Sequence, residues 1–275
     1  MTFDTTESSE FFQPFEVYDF TRGVFNWRFT SADADVSFNG NPYEAIPIKR
    51  SRIESTQDLG KTTVKLTMIR TASFVQQFIE SPPTDIITIA ITRVHVSDGT
   101  SVVTFKGRVI NVKFSENTAE VTCQPLQTTL RRPGLRKLYQ TNCPHVLYGP
   151  ECGVLIGSFQ VNATIDSFTG LTITSTSFII SINPTFDATH FIGGFVSFNQ
   201  SGLVTKRFIT DHDNGTGTLT LNLPISGLSV GAAVTAVAGC DHVVATCAGK
   251  FDIVVNYGGF PFIPTKNPMD GTSVF

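Results

Sequence analysis

Five cysteines, Cys123, Cys143, Cys152, Cys240 and Cys247, are the residues of this 275-residue chain best suited to chemistry. Four of them form two local pairs, with eight residues between Cys143 and Cys152 and six between Cys240 and Cys247. A thiolate is both a nucleophile and a metal ligand. A four-thiolate site needs four sulfurs converging on a small centre. Two short loops, distant in sequence, meet that need when the chain between them folds out and returns. The loops hold the required turn formers: Pro144, Gly149, Pro150 and Gly153 in the first, Gly239 and Gly249 in the second. Glycine also lets backbone amides approach sulfide sulfurs. Structural zinc usually leaves two to four residues between paired cysteines. Gaps of eight and six therefore sit better with an iron–sulfur cluster fed by separate loops. Zinc, four thiols packed as small hydrophobes and a disulfide pair remain as alternatives. His145 is open to three roles: a replacement ligand, a hydrogen-bond donor beside the ligands, or a surface residue. Cys123 lies in an alternating run and is expected in the core.

The compartment bears on these alternatives. Met1 to Glu10 is acidic and Ser/Thr-rich, without the basic and apolar regions of a secretory signal. The expectation is a chain that stays in the reducing cytoplasm where it is made, where disulfides are disfavoured. No apolar run approaches the roughly 20 residues that span a bilayer. Net charge is -3, and the densest basic stretch is Arg131, Arg132, Arg136 and Lys137. That is too little field to grip nucleic-acid phosphates, so no sequence-specific nucleic-acid partner is expected.

The elements that must position the cysteines are mostly strands. Charged residues make up only 16% of the chain and Phe occurs 24 times. Such a chain buries a substantial core and leaves uncharged surface for partners. Period-two alternation appears at Phe15–Phe20, Phe25–Thr30, Val64–Ile69, Ile86–Val96 and Val102–Phe114, with a hairpin into Ala119–Cys123. Turn clusters such as Asn39-Gly40-Asn41-Pro42 and Ser97-Asp98-Gly99 separate them. Ala72–Glu80 reads as a helix that stops at Pro82-Pro83. After a polar stretch ending in Pro133-Gly134, alternation resumes at Gln160–Ile165, Leu171–Ile182, Phe195–Phe198, Arg207–Thr210 and Thr218–Leu223. The predicted fold is mainly β, with two β-barrel- or sandwich-like domains joined by a four-cysteine metal-binding module. The expected organisation is a flexible tail (1–12), an amino-terminal β domain (13–136), a cysteine module (137–153 and 239–265), a β domain inserted between its halves (154–238), and a loose tail (266–275).

Three motifs imitate catalytic or binding sites. Gly227-Leu228-Ser229-Val230-Gly231 fits a hydrolase nucleophile pattern, but reads as a loop between strands. Asp211-His212-Asp213-Asn214-Gly215 starts like a calcium loop, yet its twelfth position is Asn222 where a bidentate Glu is needed. A hairpin turn is the better reading. Gly215-Thr216-Gly217 lacks the Lys and helix of a phosphate loop. His95 and His190 have no partner in sequence and are read as structural. No catalytic residue is assigned, and the chain is read as a non-enzyme.

The residues around the cysteines carry a resemblance. Asn142-Cys143-Pro144-His145-Val146-Leu147-Tyr148-Gly149-Pro150-Glu151-Cys152-Gly153-Val154 resembles the Cys…Leu-Tyr…Cys-Gly segment of a tailed-phage tail-tip hub family. That family includes minor tail protein L of lambda-like phages and the hub proteins of gene transfer agents. Gly239-Cys240-Asp241 with Cys247 resembles its second cysteine pair. Asn256-Tyr257-Gly258-Gly259-Phe260-Pro261-Phe262-Ile263-Pro264 resembles its closing motif. The likeness is specific over 137–153 and 239–264 and looser over 100–136. It implies a structural homotrimeric hub in the virion, at the tip of a siphophage tail, assembled in the bacterial host cytoplasm. It also implies an iron–sulfur cluster, most simply [4Fe–4S], on Cys143, Cys152, Cys240 and Cys247. The partners implied are other tail proteins: the distal tail protein, the tape measure, and central fibre or receptor-binding proteins. Two rival functions remain, a cluster-bearing electron-transfer protein and a metal-free β adaptor.

Overall fold

The computed structural model describes residues 14–54, 63–80, 82–95, 99–131, 134, 137–200 and 202–263. The two expected tails, and Ser97, Asp98, Arg132 and Arg136, lie outside them. The chain divides into two units, Met1–Pro133 and Gly134–Phe275. No helix among the described residues is long and apolar enough to cross a membrane.

The amino-terminal unit holds β1 (Pro14–Arg22), β2 (Phe25–Thr30), β3 (Val36–Phe38), β4 (Asn41–Ala45), β5 (Ile48–Arg50), β6 (Val64–Ile69), α1 (Ser73–Glu80), β7 (Thr88–His95), β8 (Ser101–Phe114) and β9 (Thr118–Pro125). The strands form one nine-stranded sheet in the order β3-β4-β2-β1-β7-β8-β9-β6-β5. All of its pairings are antiparallel except β2 with β4. Alternation sets which face is buried. In β6, Val64, Leu66 and Met68 turn inward while Lys65, Thr67 and Ile69 turn out. Helix α1 closes this core by placing the Phe74 ring on Phe20, centroids 4.1 Å apart. Cys123 lies fully buried in the same core, as its alternating run predicts. Burial pushes its thiol up to about 12, which makes it inert.

One ion pair ties the sheet's distant strands. Arg50 on β5 donates to Glu16 on β1 at 2.6 and 2.8 Å, and Tyr18 adds a hydrogen bond of 2.9 Å. Burial alone would raise the Glu16 carboxyl. The Arg50 and Tyr18 hydrogen bonds and the Arg50 and Arg93 charges outweigh it, leaving Glu16 below its ordinary 4.5. A depressed carboxylate contributes stability above its unfolded value and loses it as pH falls through the folded one. Replacing Arg50 by Met should therefore cost about 2 kcal/mol at neutral pH. This is less than the 3–5 of a fully buried pair, because Arg93 remains 3.7 Å from Glu16. Urea melts at pH 7 and pH 3 check this; the variant's deficit should shrink in acid.

The second unit holds β10 (Gln160–Thr164), β11 (Ser167–Thr169), β12 (Thr172–Thr174), β13 (Phe195–Gln200), β14 (Leu203–Asp213), β15 (Thr218–Leu221) and β16 (Ala233–Val237), with a short helix α2 (Val244–Gly249) after them. Its sheet runs β10-β16-β13-β14-β15-β12-β11. Strand β14 pairs with β13 along its first half and with β15 along its second, and the β14–β15 register shifts between Ile209 and Asp211. A bulge bends a strand and increases its twist. The sheet thereby curls, so that Ala163, Ile173, Phe198, Leu219 and Val234 share one core.

The alternating run 171–182 yields only the three-residue β12. Ser175 ends it: its hydroxyl donates to Thr164 O at 2.7 Å and accepts from Ser177 N at 3.3 Å, opening a 3-10 turn. Local side-chain bonds of this kind compete with a strand. Asp213 holds the hairpin turn through Gly215 N and the Thr216 hydroxyl. Gly227–Gly231 is a loop followed by strand β16, without the helix a nucleophile elbow needs.

Candidate metal centre

The four paired cysteines come from two irregular segments of the second unit. In the first, Gly149 N bonds to Val146 O and Gly153 N to Gly149 O, both at 2.9 Å, so the chain between Cys143 and Cys152 is a chain of tight turns. Tyr148 adopts φ 62° within it. Its hydroxyl reaches Ala238 O at 2.7 Å, beside the second cysteine pair. In the second segment, the Asp241 carboxylate accepts Val243 N at 3.0 Å and the Thr246 hydroxyl at 2.9 Å. These bonds start α2, which carries Cys247. His242 and Asp252 flank that helix with φ 64° and 50°. Left-handed conformations are costly for residues other than glycine and persist where the surroundings over-determine them. Three of the four such residues among those described lie in these two segments.

The closing motif joins the segments. Asn256 Nδ2 donates to Cys152 O at 2.9 Å, and Asn256 O faces His145 Nδ1 at 3.0 Å. Tyr257 OH donates to Thr141 O at 2.6 Å and to His242 O at 3.3 Å. Cys143 N donates to His242 O at 2.9 Å. Gly153 has φ 74°, and a Cβ there would meet Asn256 Nδ2 at 2.6 Å. A Cβ on Gly258 would strike the His145 ring, and one on Gly259 would strike Thr141 O. The glycines of the motifs are thus places where two backbones or a ring pass too close for a side chain.

Cys143, Cys152, Cys240 and Cys247 line one small pocket with a cavity volume of about 20 Å³. Leu147, Val154, Val243, Phe251 and Ile253 form its apolar wall. All four thiols are free and half-buried. Burial raises the Cys240 thiol. Burial, then the neighbouring Cys240, Cys143 and Cys152, pushes Cys247 up to about 11. Like charges so placed ionise together only if a cation or cationic centre joins them. Two backbone amides point at sulfurs: His242 N to Cys240 Sγ at 3.3 Å and Gly258 N to Cys143 Sγ at 3.5 Å. Amide donors of this kind stabilise sulfur-ligated clusters.

The structure has a four-cysteine pocket, but among the described residues no group of three or more His, Cys, Asp or Glu is placed to hold one metal ion. Zinc–sulfur bonds of about 2.3 Å would require sulfurs about 3.8 Å apart. His145 also lines the pocket, with Nε2 3.6 Å from Glu151. Sequence reasoning missed Lys250, a half-buried ammonium on the Gly239 carbonyl, one residue before Cys240. Burial lowers it to about 8 against the pull of Cys240 and Asp241. The only sequence signal for it is a lone charge between Gly249 and Phe251.

Comparison with known proteins bears on both units. Residues 20–155 match the family described as "Baseplate hub protein, N-terminal attachment domain". The whole chain also superimposes on a chain of the virion of a native gene transfer agent particle, with a TM-score of 0.74. The first half of the chain thus resembles a baseplate hub attachment domain, and the whole chain shares its fold with a virion protein. The superposition covers 100% of this chain and 99% of the other at 16% identity, a level that speaks for the fold. Residues 189–267 match a second family, "Phage conserved hypothetical protein BR0599". Each matched range contains one cysteine pair. An uncharacterized protein of Xylella fastidiosa (strain 9a5c) is 26% identical over 181 residues, which are 60% of this chain but only 38% of that relative.

Proposed function

We propose that the chain is the structural hub of a siphophage tail tip, stabilised by an iron–sulfur cluster on Cys143, Cys152, Cys240 and Cys247. The observation that carries the cluster is the meeting of four free thiols, from segments about a hundred residues apart, around one apolar-walled pocket. The gaps of eight and six residues between paired cysteines favour [4Fe–4S] over zinc. The cluster supplies strong bonds between two loops. The chain's own residues orient the sulfurs, aim amides at them and keep water away with Leu147, Val154 and Phe251.

On this reading the cysteine segments staple the exit and return of the β domain inserted between them. The hub is a homotrimer joining the tail tube and distal tail protein to the central fibre or receptor-binding proteins, with the tape measure as a further neighbour. Its role is mechanical and not enzymatic. Iron and acid-labile sulfide analysis of anaerobically purified protein tests the cluster. About four of each per chain, with absorbance near 400 nm, are expected. Less than one iron per chain would leave a metal-free adaptor or, if zinc replaces it, a zinc site.

A further inference from the structure

The second unit holds another cavity, of about 330 Å³, which shares no lining residue with the thiol pocket. Phe159 and Phe186 line it, and Asp187, His190 and Lys250 bring polar groups to it. A largely apolar cleft of this size with a few placed polar groups is the usual form of a small-ligand site. Each polar group is held in place with bonding capacity to spare. Asp187 Oδ1 accepts Ile182 N at 3.1 Å and Asn183 N at 2.8 Å, and no described residue donates to Oδ2. Lys250 Nζ donates to His190 O at 2.6 Å and to Gly239 O at 2.7 Å, which uses two of an ammonium's three N–H groups. Among the described residues no carboxylate pairs with it. His190 is only 7% exposed, and its ring meets the Phe191 ring at an edge but makes no hydrogen bond among the described residues. Burial, then the Lys250 charge, holds His190 down at about 4, so the imidazole is neutral at pH 7. A buried polar ring without a partner calls for one.

We propose that this cavity binds a free aromatic α-amino acid, its carboxylate on Lys250 and His190, its ammonium on Asp187 and its ring against Phe159 and Phe186. Charge complementarity selects the zwitterion. A simple anion would meet the Asp187 carboxylate and a simple cation the Lys250 ammonium, and like charges so placed are costly. The spacing suits one small molecule. Asp187 and His190 bound a single 3-10 turn, with His190 N on Asp187 O at 3.3 Å. Three residues of such a turn rise about 6 Å, and Lys250 sits on the His190 carbonyl. Neighbouring charges on one ligand bridge that gap with a hydrogen bond of about 2.9 Å at each end. None of these groups is a thiol, so the site stands whether or not the cysteines hold a cluster.

Ligand-observed NMR titration of the full chain tests this with L-phenylalanine, with phenylpropionate, which lacks the ammonium, and with phenethylamine, which lacks the carboxylate. L-Phenylalanine should bind saturably with a Kd below about 1 mM, and both truncated probes should bind more weakly. Asp187→Asn keeps the oxygen that accepts the Ile182 and Asn183 amides, so its fold should hold. It should weaken L-phenylalanine about tenfold and leave phenylpropionate within about twofold of wild type. Lys250→Met should weaken L-phenylalanine about tenfold as well but spare phenethylamine. Lys250→Gln, which retains a donor for the two carbonyls, reports the same loss where Met fails to fold. A residue that only braced the backbone would weaken all three probes alike, and that result would overturn the assignment. So would the absence of saturable L-phenylalanine binding, equal affinity for the three probes, or an Asp187→Asn chain that binds them as the wild type does.

Discussion

Replacing Cys240 by Ser should strip iron from the chain and lower the melting temperature of the second unit by more than about 10 °C. The segments around the pocket contain turns, one six-residue helix and a short 3-10 turn. They are joined by a few hydrogen bonds, among them Cys143 N to His242 O and Asn256 Nδ2 to Cys152 O. Such segments do not bury enough apolar surface to offset the entropy of ordering them. A group bound to four thiolates only in the folded state adds its binding free energy to folding. A few kcal/mol of that kind moves the melting temperature of a domain this size by on the order of 10 °C. Cys123→Ser is the matched control, because Cys123 lies in the core of the other unit. It should retain full iron. Calorimetry with and without chelator checks the argument, and a Cys240→Ser melting temperature equal to the wild type's would sink the staple.

Gly239→Ala should cost about 3 kcal/mol and reduce iron retention as well. A Cβ on Gly239 would fall on the carbonyl oxygen of Ile192 and the amide nitrogen of Gly194. Reciprocally, a Cβ on Gly194 would strike Val237 O. Two backbones cross here with nothing between them. Neither can swing aside: Gly193 N is bound to Ile209 O, Gly194 N to Phe191 O and Gly239 N to His190 O. Any relief must move strand β16 or the start of the second cysteine segment, and Cys240 is the next residue. Gly157, with nothing within 4 Å of its added Cβ, supplies the neutral comparison. Urea unfolding of the two variants decides the matter; a Gly239→Ala loss under about 0.5 kcal/mol would show that the crossing yields.

The strong alternations, such as those of β2 and β6, were legible because one buried face forces period two. The short strands β3, β4, β5 and β11 were not. Three to five residues carry too little periodicity, and they pair because neighbours offer open edges. Strand β16 was missed for the opposite reason. Lying between β10 and β13, it reads as the small apolar run Ala232–Ala238 before a cysteine. The run 171–182 misled, since a side-chain turn at Ser175 overrides alternation.

For the site, the residue types determined a great deal by themselves. Four cysteines in two turn-rich loops, with their Leu-Tyr, Cys-Gly and Gly-Gly-Phe-Pro neighbours, specified the ligand candidates and carried the resemblance to tail-tip hubs. Only the tertiary structure decided that all four line one apolar-walled pocket. It alone placed the Lys250 ammonium on the Gly239 carbonyl, one residue before Cys240. Those outcomes depend on where chain segments distant in sequence cross, at Gly239 against Ile192 and at Asn256 against Cys152. Local patterns specify the turns within a loop; the distance between loops is set by the packing of everything folded between them.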